Sequence, residues 1–112
     1  MNQEILDEIT NIDYSEISKK IQNSIKEKIT QTDSKGLIFG LSGGIDSAVI
    51  AYLCAGVVKE STTAIIMPDS KISPEDETND ALKIVDSLNL NYKLVDINQI
   101  HKEYYKVLEP ED

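Results

Sequence analysis

One short run of the sequence combines glycines, hydroxyls and a carboxylate. It reads Gly40-Leu41-Ser42-Gly43-Gly44-Ile45-Asp46-Ser47, and we call it the glycine-rich run. Glycines let a backbone approach an anion closely and accept positive φ, and a helix that follows them offers free N–H groups at its N-terminus. Ser42 and Ser47 add neutral hydroxyl donors. This combination predicts a loop that binds a pyrophosphate group.

Asp46 does not suit a simple anion-binding loop, because a carboxylate repels phosphates. A bound Mg²⁺ would remove this conflict, since Mg²⁺ prefers one or two carboxylates together with phosphate oxygens. The alternative is that Ser42 to Asp46 form only a tight strand-to-helix turn with an acidic N-cap. The spacing excludes a Walker A loop, which needs Gly-Lys-Ser/Thr, and a dinucleotide-binding loop, which needs G-x-G-x-x-G.

The hydrophobic period of the chain predicts the elements that position this run. Isoleucine recurs every four positions through residues 15–30, which predicts an amphipathic helix with Asp13 or Ser15 as its N-cap. A shorter apolar pattern before it predicts one or two further helical turns. The predicted strands are residues 37–41, 62–67 and 92–95, and the other predicted helices are residues 48–58, 73–88 and 97–108. Ser73 is the expected N-cap of the helix at 73–88, with Pro74 at its first position.

The order of these elements alternates helix and strand. Such alternation predicts an α/β fold with a Rossmann-like parallel sheet, helices on both of its faces and an N-terminal helix before it. We divide the chain into an N-terminal helical segment, residues 1–35, and an α/β domain, residues 36–112. The glycine-rich run follows the first strand, and open α/β sheets bind ligands at the carboxyl ends of their strands.

Composition excludes several classes of function. The net charge is −9, and the eleven positive side chains are all lysines, so the chain lacks the basic stripe of a nucleic-acid-binding protein. The longest uncharged apolar run, residues 48–58, is short of the ~20 residues needed to span a bilayer. The acidic N-terminus is not a signal peptide, so we expect a cytoplasmic protein without membrane contact.

The sequence predicts no catalytic role for three other reactive side chains. His101 has no partner motif around it and is expected on the surface. Lys71 follows the second predicted strand and either reaches a phosphate or is an ordinary loop lysine. Cys54, the single cysteine, is expected in the core of an apolar helix, which leaves no disulfide and no CxxC metal site.

The string Ser42-Gly43-Gly44-Ile45-Asp46-Ser47 resembles the signature of the PP-loop ATP pyrophosphatases. The following segment, from Ile65 to Ser73 and including Met67-Pro68-Asp69-Ser70, resembles the NAD synthetase family in its ammonia-dependent form. This resemblance implies an ATP-binding domain of the adenine nucleotide alpha-hydrolase type. It implies that residues 40–47 bind ATP, that Asp46 binds Mg²⁺, and that Ile66 and Met67 lie beside the adenine.

The resemblance also implies a reaction. Deamido-NAD, ATP and ammonia would give NAD, AMP and pyrophosphate through an adenylated carboxylate. Positioning and electrostatic stabilisation suffice for that step, so no side chain of the chain is expected to act as a catalytic nucleophile. Members of the family are longer than this chain, and we expect it to be their ATP-binding half, truncated at Glu109-Pro110-Glu111-Asp112. The alternatives are an ATP-binding module without turnover and another amide-forming PP-loop enzyme such as GMP synthetase.

The helix predicted at residues 48–58 carries no charge on any side. A helix on a sheet needs only one apolar stripe, so its outer face requires a cover. A two-fold dimer would supply one, and the family resemblance implies a homodimer. We expect Tyr52 and Gly56 near its seam.

Overall fold

The computed structural model describes residues 2–108, apart from the side chain of Ile9. The expected C-terminal end of the α/β domain, residues 109–112, lies outside the described residues. The helices are α1 (Gln3–Thr10), α2 (Tyr14–Gln31), α3 (Ile45–Val58), α4 (Glu75–Leu88) and α5 (Asn98–Leu108), with a 3-10 turn at Lys59–Ser61. The strands are β1 (Leu37–Gly40), β2 (Thr62–Ile66) and β3 (Asn91–Leu94).

The three strands form one parallel sheet in the order β1-β2-β3. Helix α3 connects β1 to β2, and α4 connects β2 to β3. These two helices contact each other, so they lie on the same face of the sheet. The predicted parallel α/β sheet with an N-terminal helix before it is confirmed, but the two connecting helices cover one face of the sheet and not both faces as predicted. On the opposite face, the side chain of Ile38 is 76% exposed.

Small side chains form the contact between the sheet and its helices. Ala51 of α3, Ala64 of β2 and Ala81 of α4 are completely buried. Alanine leaves little distance between a helix and a strand, and closely packed interiors gain from such contact. Ile66 and Val85 complete the centre of this core. The same packing fixes the carboxyl ends of β1 and β2 relative to α3 and α4.

Two predicted helix starts are wrong by a few residues. Helix α3 begins at Ile45 instead of Ala48, so the glycine-rich run already contains its first turn. Helix α4 has Pro74 as its N-cap and no side-chain cap. The expected cap, Ser73, has its Oγ 2.9 Å from the backbone nitrogen of Asp69, from which it accepts a hydrogen bond. The hydroxyl thus bonds to a backbone nitrogen four residues earlier, in the preceding loop, and not to the first turn of α4.

The N-terminal segment packs against the α/β domain through α2 and α3. The predicted cap of α2 is confirmed, because Oδ1 of Asp13 accepts a hydrogen bond from the Glu16 backbone. Nε2 of Gln22 donates to the Leu53 carbonyl oxygen at 3.1 Å, and Gln22 lies directly over Gly56. Gly56 therefore lies at the α2–α3 contact, and its expected place near a dimer seam remains a prediction. The division at residue 35 remains a prediction.

Candidate nucleotide-binding site

The glycine-rich run folds into a short turn that is held by two serine hydroxyls. Oγ of Ser47 lies 3.0 Å from Oγ of Ser42, accepts from the Ser42 backbone nitrogen at 3.1 Å, and is 3.1 Å from the Ser42 carbonyl oxygen. Oγ of Ser42 in turn accepts a hydrogen bond from the Gly44 backbone nitrogen at 3.2 Å. These bonds join the end of β1 to the first turn of α3. The two hydroxyls thus shape the turn, a role that the sequence analysis did not predict for them.

The two adjacent glycines of the turn have different surroundings. A Cβ on Gly43 would lie 2.7 Å from the carbonyl oxygen of Glu77 and 2.9 Å from its Cα, so the turn packs directly on α4. A Cβ on Gly44 would meet only Oγ of Ser42, at 3.3 Å. Neither glycine has a positive φ, so the expectation of left-handed conformations in this run is wrong. Close backbone approach is the reason for glycine at Gly43.

The N-terminus of α3 offers backbone donors beside the turn. Gly44 is the N-cap, and no side chain caps the helix. The first N–H groups of an α-helix have no intrahelical acceptor, and they carry the positive end of the helix dipole. Asp46 lies in the first helical turn, so it is not the acidic N-cap of the alternative interpretation. Its carboxylate is exposed and has no ion-pair partner within the described part of the chain.

An open cleft of about 330 Å³, counting the space that opens to solvent, lies at the carboxyl ends of β1 and β2. One wall is the glycine-rich run, through Leu41, Ser42 and Gly43. The second wall is the segment between β2 and α4, residues 67–74, which we call the β2–α4 loop. The cleft is lined by Leu41, Ser42, Gly43, Ile66, Met67, Pro68, Ser73, Glu77, Thr78 and Ala81.

Of the eight predicted site residues, Leu41, Ser42 and Gly43 line the cleft, whereas the other five, Gly40, Gly44, Ile45, Asp46 and Ser47, do not. The side chain of Leu41 is only 4% exposed and belongs to the core, while its backbone nitrogen donates to the Ile65 carbonyl oxygen. Ile45 is 79% exposed. Gly40 lies beside Met67, whose methyl carbon would be 3.7 Å from a Cβ at that position. Gly40 and Leu41 therefore offer backbone atoms only.

A buried carboxylate in the β2–α4 loop is the main feature that the sequence analysis missed. Asp69 is 6% exposed. Its Oδ1 accepts from the Lys71 backbone nitrogen at 3.0 Å and from Nδ2 of Asn98 at 2.8 Å. Its Oδ2 lies 2.8 Å from Nδ1 of His101. The hydrogen bond from Asn98, followed by those from Lys71 and His101, lowers the pKa of Asp69 although burial opposes this.

His101 lies on the surface, as the sequence predicted, but it has a partner that the sequence did not predict. Its side chain is 45% exposed and pairs with buried Asp69, and its ring meets that of Tyr105 edge to face. The two paired residues are 32 positions apart, and no local motif joins them. The prediction for Cys54 is confirmed, since this thiol is buried and burial raises its pKa.

A second carboxylate joins the loops that follow β2 and β3. Oδ1 of Asp96 accepts from the backbone nitrogens of Ser70, at 3.1 Å, and Asn98, at 3.0 Å. Hydrogen bonding by Ser70, followed by that of Asn98, lowers the pKa of Asp96. The Ile97 backbone nitrogen also donates to the Pro68 carbonyl oxygen at 2.9 Å. The β2–α4 loop is thus held by hydrogen bonds with the segment after β3 as well as by the hydrogen bonds of its own turn.

Known proteins resemble this chain both in sequence and in structure. An NH(3)-dependent NAD(+) synthetase of Campylobacter jejuni is 40% identical over 95 residues, which are 85% of this chain and 38% of that protein. One of Archaeoglobus fulgidus is 37% identical over 90 residues, 80% of this chain and 36% of that protein. The chain therefore spans less than two fifths of the length of these relatives.

Solved structures agree with the sequence comparison. An NH3-dependent NAD synthetase from Campylobacter jejuni, in complex with the nitrate ion, superposes with a TM-score of 0.84 at 39% identity. The match covers 90% of this chain and 44% of that one. A glutamine-dependent NAD+ synthetase from Acinetobacter baumannii in complex with adenosine diphosphate has a TM-score of 0.82 at 22% identity, which shows a shared fold.

A family model described as NAD synthase matches residues 17–112, which is most of the chain. The match begins within α2 and includes the whole sheet, the glycine-rich run and the β2–α4 loop. Sequence identity, structural similarity and the family model agree, and this chain belongs to the NAD synthase family.

Proposed function

We propose that this chain is the ATP-binding half of an ammonia-dependent NAD synthetase. The observation that carries the proposal is the uncapped N-terminus of α3, which the glycine-rich run joins to an open cleft at the carboxyl ends of two parallel strands. Free helix amides and a positive dipole end suit an anion at this place. Residues 40–47 would bind the ATP phosphates, mainly through backbone nitrogens, because the Ser42 and Ser47 hydroxyls already bond within the turn.

The surroundings of Asp46 fit a Mg²⁺ ion that is bound together with ATP. Its exposed carboxylate lies in the helix turn next to the free amides. Mg²⁺ is held in many nucleotide sites by one or two carboxylates and phosphate oxygens. When bound, the ion would neutralise phosphate charge that Asp46 would otherwise repel.

Met67 is half exposed and offers an apolar surface to the adenine, whereas the buried side chain of Ile66 leaves only its backbone for that contact.

The reaction follows from the names of the relatives, which are NH(3)-dependent NAD(+) synthetases. ATP would adenylate the carboxylate of deamido-NAD with loss of pyrophosphate, and ammonia would displace AMP. The contribution of this chain is to hold ATP in a fixed orientation and to stabilise the departing pyrophosphate by fixed N–H dipoles. A deamido-NAD pocket is not assigned to any of its residues.

A second candidate function is ATP binding without turnover. The described residues line the cleft proposed for ATP, and none of them is assigned to a deamido-NAD pocket. Incubating the chain with ATP, Mg²⁺, deamido-NAD and ammonia, and then measuring pyrophosphate, separates the two candidates. We expect ATP to bind but no pyrophosphate to be released by the chain alone. Pyrophosphate formation that depends on deamido-NAD would show that the chain is a complete enzyme.

Titration calorimetry with ATP, ADP and AMP in Mg²⁺ tests the nucleotide site itself. Hydrogen bonds to charged groups contribute about 1.5–3 kcal/mol each, so ATP should bind at least about tenfold more tightly than AMP. Equal affinities for ATP and AMP would show that the glycine-rich run does not bind the phosphates.

A homodimer and a cytoplasmic location remain part of the proposal. The described helices include none with the length and apolar character needed to cross a bilayer.

A further inference from the structure

Helix α5 is attached to the molecule in an unusual way. It has no buried residue, and its apolar side chains at Ile100, Tyr104, Val107 and Leu108 are each at least 60% exposed. Its 11 residues fall short of the ~12–15 that an isolated helix needs even for marginal stability in water. Hydrophobic burial therefore does not account for the position of α5.

Polar contacts at the N-terminal end of α5 attach it instead. Asn98 and His101 both bond to the carboxylate of Asp69, at 2.8 Å each. The residues just before the helix add two more contacts: the Ile97 backbone nitrogen donates to the Pro68 carbonyl oxygen, and Oδ1 of Asp96 accepts from the Ser70 backbone nitrogen. Every one of these four contacts ends on the β2–α4 loop.

The same loop forms a wall of the candidate nucleotide cleft through Met67, Pro68 and Ser73. Its turn is closed by the Asp69 carbonyl oxygen, which accepts from the backbone nitrogens of Ile72, at 3.0 Å, and Ser73, at 2.7 Å. The backbone of Asp69 thus belongs to the turn that forms the cleft wall, while its side chain bonds to Asn98 and His101 of α5. The two oxygens of the Asp69 carboxylate have enough acceptor sites for Lys71, Asn98 and His101 together.

We propose that Asp69 is a positioning residue which, through His101 and Asn98, couples the docking of α5 to the conformation of the cleft wall. When α5 is docked, the β2–α4 loop is held in the shape that lines the cleft. When the contact from His101 is lost, both the helix and the loop loosen together. The coupling is a property of the chain itself, and its effect on nucleotide binding rests on the proposed function.

The test uses His101→Ala, with His101→Gln as the conservative variant and Gln99→Ala as the control. Gln99 is an exposed residue of the same helix, and within residues 2–108 its side chain bonds only to Glu103. Amide hydrogen exchange is measured in the ligand-free chain. His101→Ala should raise the exchange rates of the Ile72 and Ser73 amides, as well as those of α5, by about tenfold, which corresponds to one lost charged hydrogen bond. Gln99→Ala should change neither set, and His101→Gln should restore much of the protection.

Exchange that rises in α5 but not at Ile72 and Ser73 would overturn the proposal, because the helix would then fray without affecting the loop. Saturating Mg²⁺-ATP supplies the second measurement. By linkage, ATP should slow exchange in α5 of the unsubstituted chain, and His101→Ala should weaken ATP binding severalfold. Failure of ATP to bind the unsubstituted chain would refute the proposed function, while the ligand-free comparison would still decide the coupling.

Discussion

At the scale of single residues, the adjacent glycines Gly43 and Gly44 have different structural roles. Gly43 lies against the backbone of α4, whereas Gly44 is the open N-cap of α3. The glycines in the sequence predicted that the backbone of this run closely approaches another group. The sequence could not show that Gly43 approaches a helix of the same chain, since Glu77 is distant in sequence. The roles of both glycines toward a ligand remain predictions.

Substitutions at the two glycines should therefore affect different properties, stability at Gly43 and ATP binding at Gly44. Gly43→Ala forces a Cβ into the Glu77 backbone, and such overpacking costs on the order of 1–3 kcal/mol of unfolding free energy. Gly44→Val should stay folded, because its φ of −78° suits any residue, but its branched side chain should block the approach of phosphates. Chemical denaturation and ATP titration of both variants measure these effects. Normal ATP binding by a folded Gly44→Val variant would contradict the assignment of the phosphate site.

Asp46→Asn should weaken ATP binding in Mg²⁺ far more than in EDTA, because the carboxylate acts through the metal ion. Asn keeps the size of the side chain and removes its charge. Calorimetric titration of both proteins under both conditions checks this expectation, with exposed Asp86→Asn in α4 as the control. An equal loss with and without Mg²⁺ would show that Asp46 is not a metal ligand.

At the scale of elements, the hydrophobic period predicted the order and type of every helix and strand from α2 to α5. Its errors lie at helix starts, where caps decide the boundary, and at the ends of the three strands, each of which stops one residue earlier than predicted. The pattern could not reveal that Ser73 bonds to Asp69 or that α3 starts inside the glycine-rich run. It also could not reveal the Asp69 contacts, because they join positions 29 and 32 residues apart. Such contacts depend on the tertiary fold.

The contact of α2 with α3 supplies a test of packing between elements. Gly56→Ala should displace Gln22 and lose its hydrogen bond to Leu53, which costs about 0.5–1.5 kcal/mol. Replacing a helical glycine by alanine gains about 0.8–1 kcal/mol, so the variant should be close to neutral. In a Gln22→Ala background the loss is absent, and Gly56→Ala should stabilise by about 1 kcal/mol. Urea denaturation of the four proteins gives this cycle, and equal effects in both backgrounds would contradict the contact.

Acid should release α5 before the core unfolds. The folded pKa of Asp69 and Asp96 is lowered by hydrogen bonds, so their contribution is fully present above the unfolded carboxylate pKa of about 3.9. It is lost as the pH falls through the lowered folded pKa. Far-UV circular dichroism should therefore show a partial loss of helix below about pH 4. Asp96→Asn should already lack part of that contribution at neutral pH, and a variant with an unchanged acid transition would exclude Asp96 as a cause.

At the scale of the whole molecule, the surface combines a net charge of −9 with exposed apolar side chains. Charge and composition supported the exclusion of nucleic-acid binding at the outset, and the family membership that the motifs implied is confirmed. The expected cover for α3 is only partly supplied by α2. Ile45, Val49, Ile50 and Tyr52 of α3 each remain at least 46% exposed.

This exposed face of α3 predicts self-association in solution. Ile45, Val49 and Tyr52 have the i, i+4, i+7 spacing of one helix face. Exposed apolar faces mark contact surfaces, and two-fold dimers are the commonest assembly. Light scattering should give the mass of a dimer at tens of micromolar chain, on the order of concentrations at which weak interfaces form. Tyr52→Glu should shift the chain toward monomer, with exposed Tyr14→Glu in α2 as the control. A monomeric unsubstituted chain would contradict the prediction.

The three-stranded sheet has a consequence for handling the protein. Within residues 2–108, β1 and β3 each pair with β2 alone, so both outer strands present unpaired backbone groups. Such edges are templates for strand addition by another chain, and lysine on an edge discourages it. Strand β3 carries Lys93, whereas β1 consists of Leu37-Ile38-Phe39-Gly40 without any charge. Aggregation at high concentration would therefore begin at β1, and a lysine introduced at Ile38 would be the first change to make for a soluble sample.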